Sequence, residues 1–466
     1  MKDRRITKTA KLLLSIWNIG LFVLVWFNFY NRFAFDRYLI QGGTVFCIVY
    51  AIIYFFFCDL YKSFRIASTP IPDIVFGQTI SFGIADAVLY AECCLINNHL
   101  VKMGPGLITV ALQILGTAAL VTAIKQFMMR TLVPRKTLLI YGSKTTLEDA
   151  TTFINKLVDK YGHLFDVCDI EYQDITEEEL EKALDNVDVV VLYEVSRHYK
   201  GQLMKICTER HKAFYYTPRI EDILCQGATY KNYMDTPLMK YEYKYESVTG
   251  YFGKRVLDIV LSLITILLLW PIFLIIAICI KLEDGGPVFF KQKRLTKDQK
   301  EFDILKFRSM HVDAEKEGAK PCTGNDTRIT KVGKIIRSTR LDELPQMINI
   351  LKGEMSFVGP RPERVEHIEQ YTEDIKEFKY RLRVKGGLTG YAQIYGKYNT
   401  SAYDKLRLDL MYIENQSLLL DLKLILMTIK VIFKPESTEG FAEEKSKSIN
   451  RKVKTNEFKK NIDFSK

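Results

Sequence analysis

Residues 254–281 read KRVLDIVLSLITILLLWPIFLIIAICIK, and this stretch decides the architecture. Its apolar run, Val256 to Ile280, is long enough to cross a bilayer, which takes about 20 residues. Two features argue against crossing. Trp270-Pro271 interrupts the run near its middle, where proline removes a helix hydrogen bond and crowds the preceding turn. Both flanks are also basic: Lys254 and Arg255 come before, and Lys281, Lys291, Lys293 and Arg294 come after. A spanning helix would carry one of these clusters outward, against the positive-inside bias. The stretch therefore predicts a re-entrant helix-break-helix that enters and leaves by the cytoplasmic face, with Trp270 and Pro271 at the break. Backbone freed there must be satisfied within protein. A proline-kinked fifth span is the plain alternative.

Four further apolar segments lie upstream, at about residues 12–29, 39–57, 74–95 and 107–127, each long enough to span. The first has no small-residue cleavage site, so it reads as a retained helix. Its leader carries Lys2, Arg4, Arg5, Lys8 and Lys11, and the end of the fourth span and the segment after it carry Lys125, Arg130, Arg135 and Lys136. Both ends of this block are expected in the cytoplasm, with Arg32 and Arg37 in the first outer loop blurring the signal. Asp86 and Glu92 fall within the third span, where a proton relay competes with plain helix-helix packing.

The chain has 466 residues, room for about two to four domains. With 28 Phe and 26 Tyr it is not disordered over most of its length. Nine Cys, an odd count without paired spacing, exclude a disulfide scaffold, and neither CxxC nor HExxH occurs. The net charge of +11 suits nucleic acid or an anionic membrane. The apolar runs favour the membrane, and no nucleic-acid partner is expected.

Between the spans and the broken helix, strands and helices alternate. Thr137 to Tyr141, Phe165 to Tyr172, Asp188 to Tyr193 and Ala213 to Tyr216 read as strands, separated by helical patterns. This order predicts a small parallel, doubly wound, Rossmann-like sheet. Its first turn, Gly142-Ser143-Lys144-Thr145-Thr146, has one glycine where a dinucleotide fingerprint needs three, so a regulatory or assembly role is expected. Residues 217–245, rich in Tyr and Lys, read as a linker.

Downstream, phosphate-handling groups accumulate. Val288 to Arg294 and Phe302 to Phe307 read as strands, the second carrying Lys306 and leading to Arg308. In Arg337-Ser-Thr-Arg-Leu-Asp-Glu-Leu-Pro-Gln346, the spacing of Leu341, Leu344, Met347, Ile348 and Leu351 predicts a helix starting near Asp342, and Pro345 is tolerable only in its first turn. Asp342 and Glu343 would then sit at a helix N-terminus beside Arg337 and Arg340, an environment that favours anions. It predicts lowered carboxylate pKa values, keeping a nucleophile ionised. An acidic cap with surface arginines would explain the same residues. Gly359-Pro360-Arg361-Pro362 then holds an arginine between prolines, suited to bidentate phosphate recognition.

The motif Leu341-Asp-Glu-Leu-Pro-Gln346 with Gly359-Pro-Arg-Pro362 and Gly387 to Gln393, following a proline-broken apolar hairpin, resembles the polyprenol-phosphate phosphoglycosyl transferases, the bacterial sugar transferase family. The likeness covers about residues 251–433, and the spans and α/β domain ahead of it resemble long-form members that start capsule, exopolysaccharide or O-antigen units. It implies transfer of a sugar-1-phosphate from a UDP-sugar to undecaprenyl phosphate, releasing UMP. It implies Asp342 as the nucleophile forming an aspartyl phosphosugar and Glu343 as its Mg²⁺-associated partner, with the metal at Glu343 and Asp342. Arg361 is expected on substrate phosphate, Lys306 and Arg308 as a basic pair, and Arg337 and Asp409 as further substrate-phosphate or nucleotide contacts. Membrane lipid, a homodimer through the α/β domain and downstream glycosyltransferases follow as partners, and the bacterial inner (cytoplasmic) membrane as location. Lys385-Gly386-Gly387 stands where many relatives carry Arg-Pro-Gly, predicting a looser loop.

The expected organisation is an α/β membrane protein: four transmembrane helices over 1–130 and a cytoplasmic Rossmann-like domain over 131–245. An α+β catalytic domain with the re-entrant helix follows over 246–440, then a disordered polar tail over 441–466. Residues 417–434 predict an amphipathic interfacial helix. A membrane-anchored ligand-sensing scaffold with a degenerate transferase domain is the alternative, and the intact Asp342-Glu343 pair and Arg361 argue against degeneracy. An NAD-dependent sugar-nucleotide enzyme would need the missing glycines and a Tyr-x-x-x-Lys pair, which the sequence lacks.

Overall fold

The computed structural model describes residues 2–30, 40–143, 145–242, 248–312, 314, 326–396 and 400–432. The expected polar tail and the arginines of the first outer loop lie outside the described residues. The chain forms two compact units, Met1–Thr217 and Pro218–Lys466.

The first unit begins with helices α1 (Lys2–Asn28), α2 (Ile40–Leu60), α3 (Ile71–Asn97) and α4 (Gly104–Thr131). All four are long and apolar enough to cross a membrane. Pro70 and Pro105 sit at the starts of α3 and α4, where proline's missing N–H costs nothing. A buried polar chain joins the four helices. Gln113 Nε2 donates to Tyr50 Oη (2.9 Å) and the Asn18 carbonyl (3.0 Å), and Thr117 Oγ1 donates to Asn18 Oδ1 (3.2 Å). Asn18 Nδ2 in turn donates to Tyr54 Oη (3.3 Å), which donates to Gln78 Oε1 (2.6 Å). Among apolar helices such bonds fix rotation and register.

The sheet of the same unit alternates β1 (Arg135–Tyr141), α5 (Leu147–Tyr161), β2 (Phe165–Tyr172), α6 (Glu177–Asp185), β3 (Val189–Tyr193), α7 (Arg197–Glu209) and β4 (Ala213–Tyr216). All strand pairs are parallel, in the order β2-β1-β3-β4. Leu138, Ile140, Val190 and Leu192 pack on α6 and α7, while Leu139 and Val191 pack on α5, so both faces are covered as the alternation predicts. Capping boxes start α5 (Thr146, Asp149) and α6 (Thr176, Glu179). At the first turn a Cβ on Gly142 would run into the Glu194 carbonyl. That glycine serves contact with the β3 loop.

The second unit opens with α8 (Ile220–Gln226) and an antiparallel hairpin, β5 (Thr229–Tyr233) and β6 (Thr236–Lys240). Ile220 and Ile223 enter the core around Phe378, Leu382, Leu406 and Leu410, so this segment is more than a connector. Every strand residue of the hairpin is exposed, which left no apolar alternation to read.

Helix α9 (Val248–Asp284) is a single element with Pro271 inside it. The predicted break is a point in a continuous helix: proline deletes one donor, and helical backbone resumes on both sides. Near its start Arg255 donates to the Ile350 and Leu351 carbonyls (both 2.6 Å), and near its end Glu283 accepts from the Lys331 N–H (2.7 Å) and Asp284 pairs with Arg308. Between these anchors Ile266, Ile276 and Ile280 pack on the same unit. The opposite face carries Leu267, Leu268, Trp270, Leu274 and Ile275, all exposed. That contiguous apolar face is compatible with lipid.

After it come the antiparallel pair β7 (Phe289–Leu295) and β8 (Glu301–Phe307), then α10 (Lys331–Ser338), α11 (Gln346–Lys352) and β9 (Ser356–Val358). α12 (Val365–Asp374), β10 (Gly387–Thr389), α13 (Tyr391–Tyr395), α14 (Ala402–Glu414) and α15 (Leu418–Ile432) complete the unit. β9 and β10 pair in parallel. α15 buries Asp421 and Leu424 against the unit and exposes Leu418 and Leu419.

Candidate active site

Three elements converge on Glu343. β8 supplies Lys306, whose Nζ lies 2.9 Å from Glu343 Oε1. The loop after β9 supplies Arg361, whose guanidinium forks onto the same carboxylate, with Nη1 3.5 Å from Oε2 and Nη2 on Oε1. Glu343 itself sits in a short 3-10 turn, Leu341–Glu343. Residue spacing predicts a helix starting at Asp342, but α11 begins at Gln346, with Pro345 before it. Arg340, at φ 56° in the left-handed region, ends the preceding helical stretch and throws the dyad into its own turn. The stabilising charge at the dyad therefore comes from side chains.

The two carboxylates differ. Burial pushes Glu343 upward, but the Arg361 guanidinium and Lys306 ammonium outweigh it and hold the carboxyl well below its usual range. Asp342 moves the other way, against the sequence expectation: burial raises it, its Glu343 neighbour adds to this, and Lys306, Arg337 and Arg361 only partly oppose. Asp342 accepts no hydrogen bond from any described residue. The pair thus consists of a fixed anion and a more basic, open carboxylate, a division of roles seen when neighbouring acids have different surroundings.

Arg361 is rigidly presented. The Gly359 N–H donates to the Thr389 carbonyl (2.8 Å), and the Gly387 N–H donates to the Pro360 carbonyl (2.8 Å). Arg381 Nη2 holds the Arg361 carbonyl (3.0 Å) and Arg294 Nη1 the Pro362 carbonyl (3.2 Å). A Cβ on Gly359 would overlap the Lys385 carbonyl, so only glycine permits this approach. The Lys385-Gly386-Gly387 segment is held rather than loose: the Gly386 N–H donates to Thr296 Oγ1 (3.1 Å), its carbonyl accepts from the Ser356 N–H (2.9 Å), and its Cα packs on Pro362. Close packing of two glycines replaces the stiffness of a proline.

The other expected site residues are dispersed. Arg337 is half-buried and acts on Asp342 through its charge. Arg308 is buried against Asp284 at the end of α9 and makes no bond to the dyad. Asp409, 1% exposed, is bonded to Arg381 Nε (3.0 Å) and Nη2 (2.7 Å), so it supports the Arg361 loop from behind. Burial pushes Asp409 up to about 6, with Arg381 opposing. Glu363, on the other side of Arg381, is pushed upward by burial but brought down to about 2 by His367, Arg381, Lys405 and Arg294. Arg294 was legible only as part of the basic flank after α9, and Glu363 and Arg381 had no assigned role; an arginine set between Phe378 and Leu382 was the available signal. Trp270, beside Pro271, is exposed on the apolar face of α9.

Residues 249–435 match the family model described as bacterial sugar transferase. Over 184 residues the chain is 44% identical to the UDP-N-acetylgalactosamine-undecaprenyl-phosphate N-acetylgalactosaminephosphotransferase of Aeromonas hydrophila, covering 39% of this chain and 44% of that protein. It is 46% identical over 181 residues to the UDP-glucose:undecaprenyl-phosphate glucose-1-phosphate transferase of Klebsiella pneumoniae, covering 38% and 39%. A protein of the latter description from Caulobacter vibrioides is 40% identical over 181 residues, 38% of this chain and 68% of its own length. The match thus spans less than half of the first two relatives.

Proposed function

The chain belongs to the bacterial sugar transferase family of polyprenol-phosphate phosphoglycosyl transferases, and from that premise we propose that it moves a sugar-1-phosphate from a UDP-sugar to undecaprenyl phosphate. One observation carries the reading: Glu343 is held between Lys306 and Arg361, leaving the more basic Asp342 open beside it. A carboxylate oxygen of Asp342 attacks the sugar-bearing phosphorus, the bond from that phosphorus to the bridging oxygen breaks, and UMP leaves with the electron pair. Undecaprenyl phosphate then attacks the aspartyl phosphosugar through a phosphate oxygen, giving the diphosphate-linked sugar and restoring the carboxylate. Arg361 and Lys306 face the charge that builds on the transferred phosphoryl group, the main help a protein gives such reactions. Glycosyltransferases acting downstream would extend the product toward exopolysaccharide, capsule or O-antigen. The test is UMP release from purified protein with undecaprenyl phosphate and UDP-glucose, UDP-galactose and UDP-N-acetylgalactosamine in turn; release from none of them overturns the reading.

Magnesium belongs to the same proposal. Among the described residues no three His, Cys, Asp or Glu side chains cluster as a metal site. Asp342 and Glu343 offer two hard oxygen donors, which fits an ion that commonly takes one or two carboxylates and completes its shell with substrate phosphates and water. Bound there, it would neutralise diphosphate charge. Excess chelator is expected to reduce UMP release by about 10²-fold or more, restored by added Mg²⁺; undiminished turnover would contradict a metal role.

The re-entrant reading of α9 is supported by its anchoring to one unit at both ends, through Arg255 and through Glu283 and Asp284. A catalytic unit held half-way into the cytoplasmic leaflet of the inner membrane would meet the lipid phosphate at the interface. Leu282→Cys, at an exposed position, is expected to react only with reagent supplied from the cytoplasm. Labelling from the outside would convert α9 into a fifth span.

A further inference from the structure

Lys254 and Asp258 interrupt the apolar helix α9 one turn apart, on one face. Both are buried, at 8% and 3% exposure. Lys254 Nζ donates to the Val358 carbonyl (2.9 Å), to Tyr412 Oη (3.1 Å) and to Asp421 Oδ2 (2.7 Å), using all three of its protons. Tyr412 donates to Asp421 Oδ1 (2.8 Å). One turn on, Asp258 Oδ1 accepts from the Phe357 N–H (2.9 Å) and Ser356 Oγ (3.0 Å). The helix therefore grips three consecutive residues, Ser356 to Val358, and the chain continues directly into Gly359-Pro360-Arg361.

Such a pair is a costly way to hold a helix. Apolar residues of similar volume usually pack as well as a buried ion pair or better, whereas removing one partner strands a charge. What apolar residues cannot do is fix a backbone carbonyl in place. We propose that Lys254, with Asp258 and Asp421, is a positioning residue: it sets the strand from which Arg361 reaches the dyad, so that placement of the apolar helix governs placement of the arginine. This deepens the phosphotransfer reading and rests on it. Lys254 and Asp258 touch no reacting group; they act through Arg361.

The test compares wild type with the double variant Lys254→Met/Asp421→Leu, which removes both charges together. If the network only held the fold, unfolding temperature and turnover would be retained together. Positioning predicts an unfolding temperature near wild type, kcat lower by about 10- to 100-fold, and KM for the UDP-sugar within about threefold, since small misplacements act on the reaction step. Should this variant fail to fold, Asp258→Leu/Ser356→Ala leaves the ion pair intact and removes the second grip; a kcat lower by about 10-fold is expected there, and wild-type kcat overturns the inference. Wild type that releases no UMP from any UDP-sugar overturns the phosphotransfer reading and this inference with it. Active wild type beside an equally active, stable double variant overturns this inference alone.

Discussion

Asp342→Asn is expected to lower UMP release by about 10³-fold or more with every UDP-sugar, as loss of a covalent nucleophile does. The substitution keeps side-chain size in a turn where Asp342 accepts no hydrogen bond from described residues, so little of the fold depends on its charge. Glu343 remains held by Lys306 and Arg361, and binding of the nucleotide diphosphate should persist. Mass spectrometry of wild type quenched with UDP-sugar in the absence of lipid acceptor should find one phosphosugar on the peptide containing Asp342, and none in the variant. An adduct on another side chain, or full turnover by Asp342→Asn, would remove the covalent step.

Arg381→Met should produce the largest loss of stability. It leaves Asp409 without its ion-pair partner and takes one of the cations from Glu363, at a cost of about 3–5 kcal/mol for a stranded buried charge. It also frees the Arg361 carbonyl, so activity should fall in molecules that remain folded. The pH dependence has a definite sign. Asp409 already sits at about 6, above its ordinary 3.8, so the folded state holds this proton more tightly, and the group's contribution to stability falls as pH rises through about 6. Without Arg381 the proton is held more tightly still. The penalty relative to wild type should therefore be smaller at about pH 5.5 than at about pH 7.5, where wild type keeps Asp409 charged against Arg381 and the variant must either hold it protonated or strand the charge. Glu363 opposes this in wild type only at lower pH: held near 2 against an ordinary 4.5, it adds stability that is lost as pH falls from 4.5 toward 2. Thermal unfolding of both proteins at the two higher values checks the difference, and a penalty independent of pH would rule out a stranded Asp409.

Much of this was legible because burial writes itself into sequence as period. The strands of the parallel sheet alternate with amphipathic helices and are bounded by Thr146 and Thr176 caps, so order and limits could be read within a residue or two. The hairpin at Thr229–Lys240 buries nothing and left no such trace. At the dyad, the residues were legible but their setting was not. Leu341 and Leu344 share helical spacing with α11, yet the backbone at Arg340 separates them from it, a local φ choice that hydrophobic period does not encode. The direction of Asp342 depended on how deeply the turn is covered, which competing cations in the sequence could not reveal. Asp409 was assigned to the substrate through the family resemblance; only tertiary contact identified Arg381 as its partner.

The pinning of α9 at both ends has a mechanical consequence. A helix tethered at one end can tilt or slide until its apolar length suits the surrounding hydrocarbon. This one is fastened at Arg255 and again at Asp284 to a single folded body, and can do neither without dragging that body along. In the proposed re-entrant placement, any mismatch in thickness would be absorbed by deformation of the lipid, and the height of the Asp342-Glu343 pair above the acyl chains would be a constant of the protein.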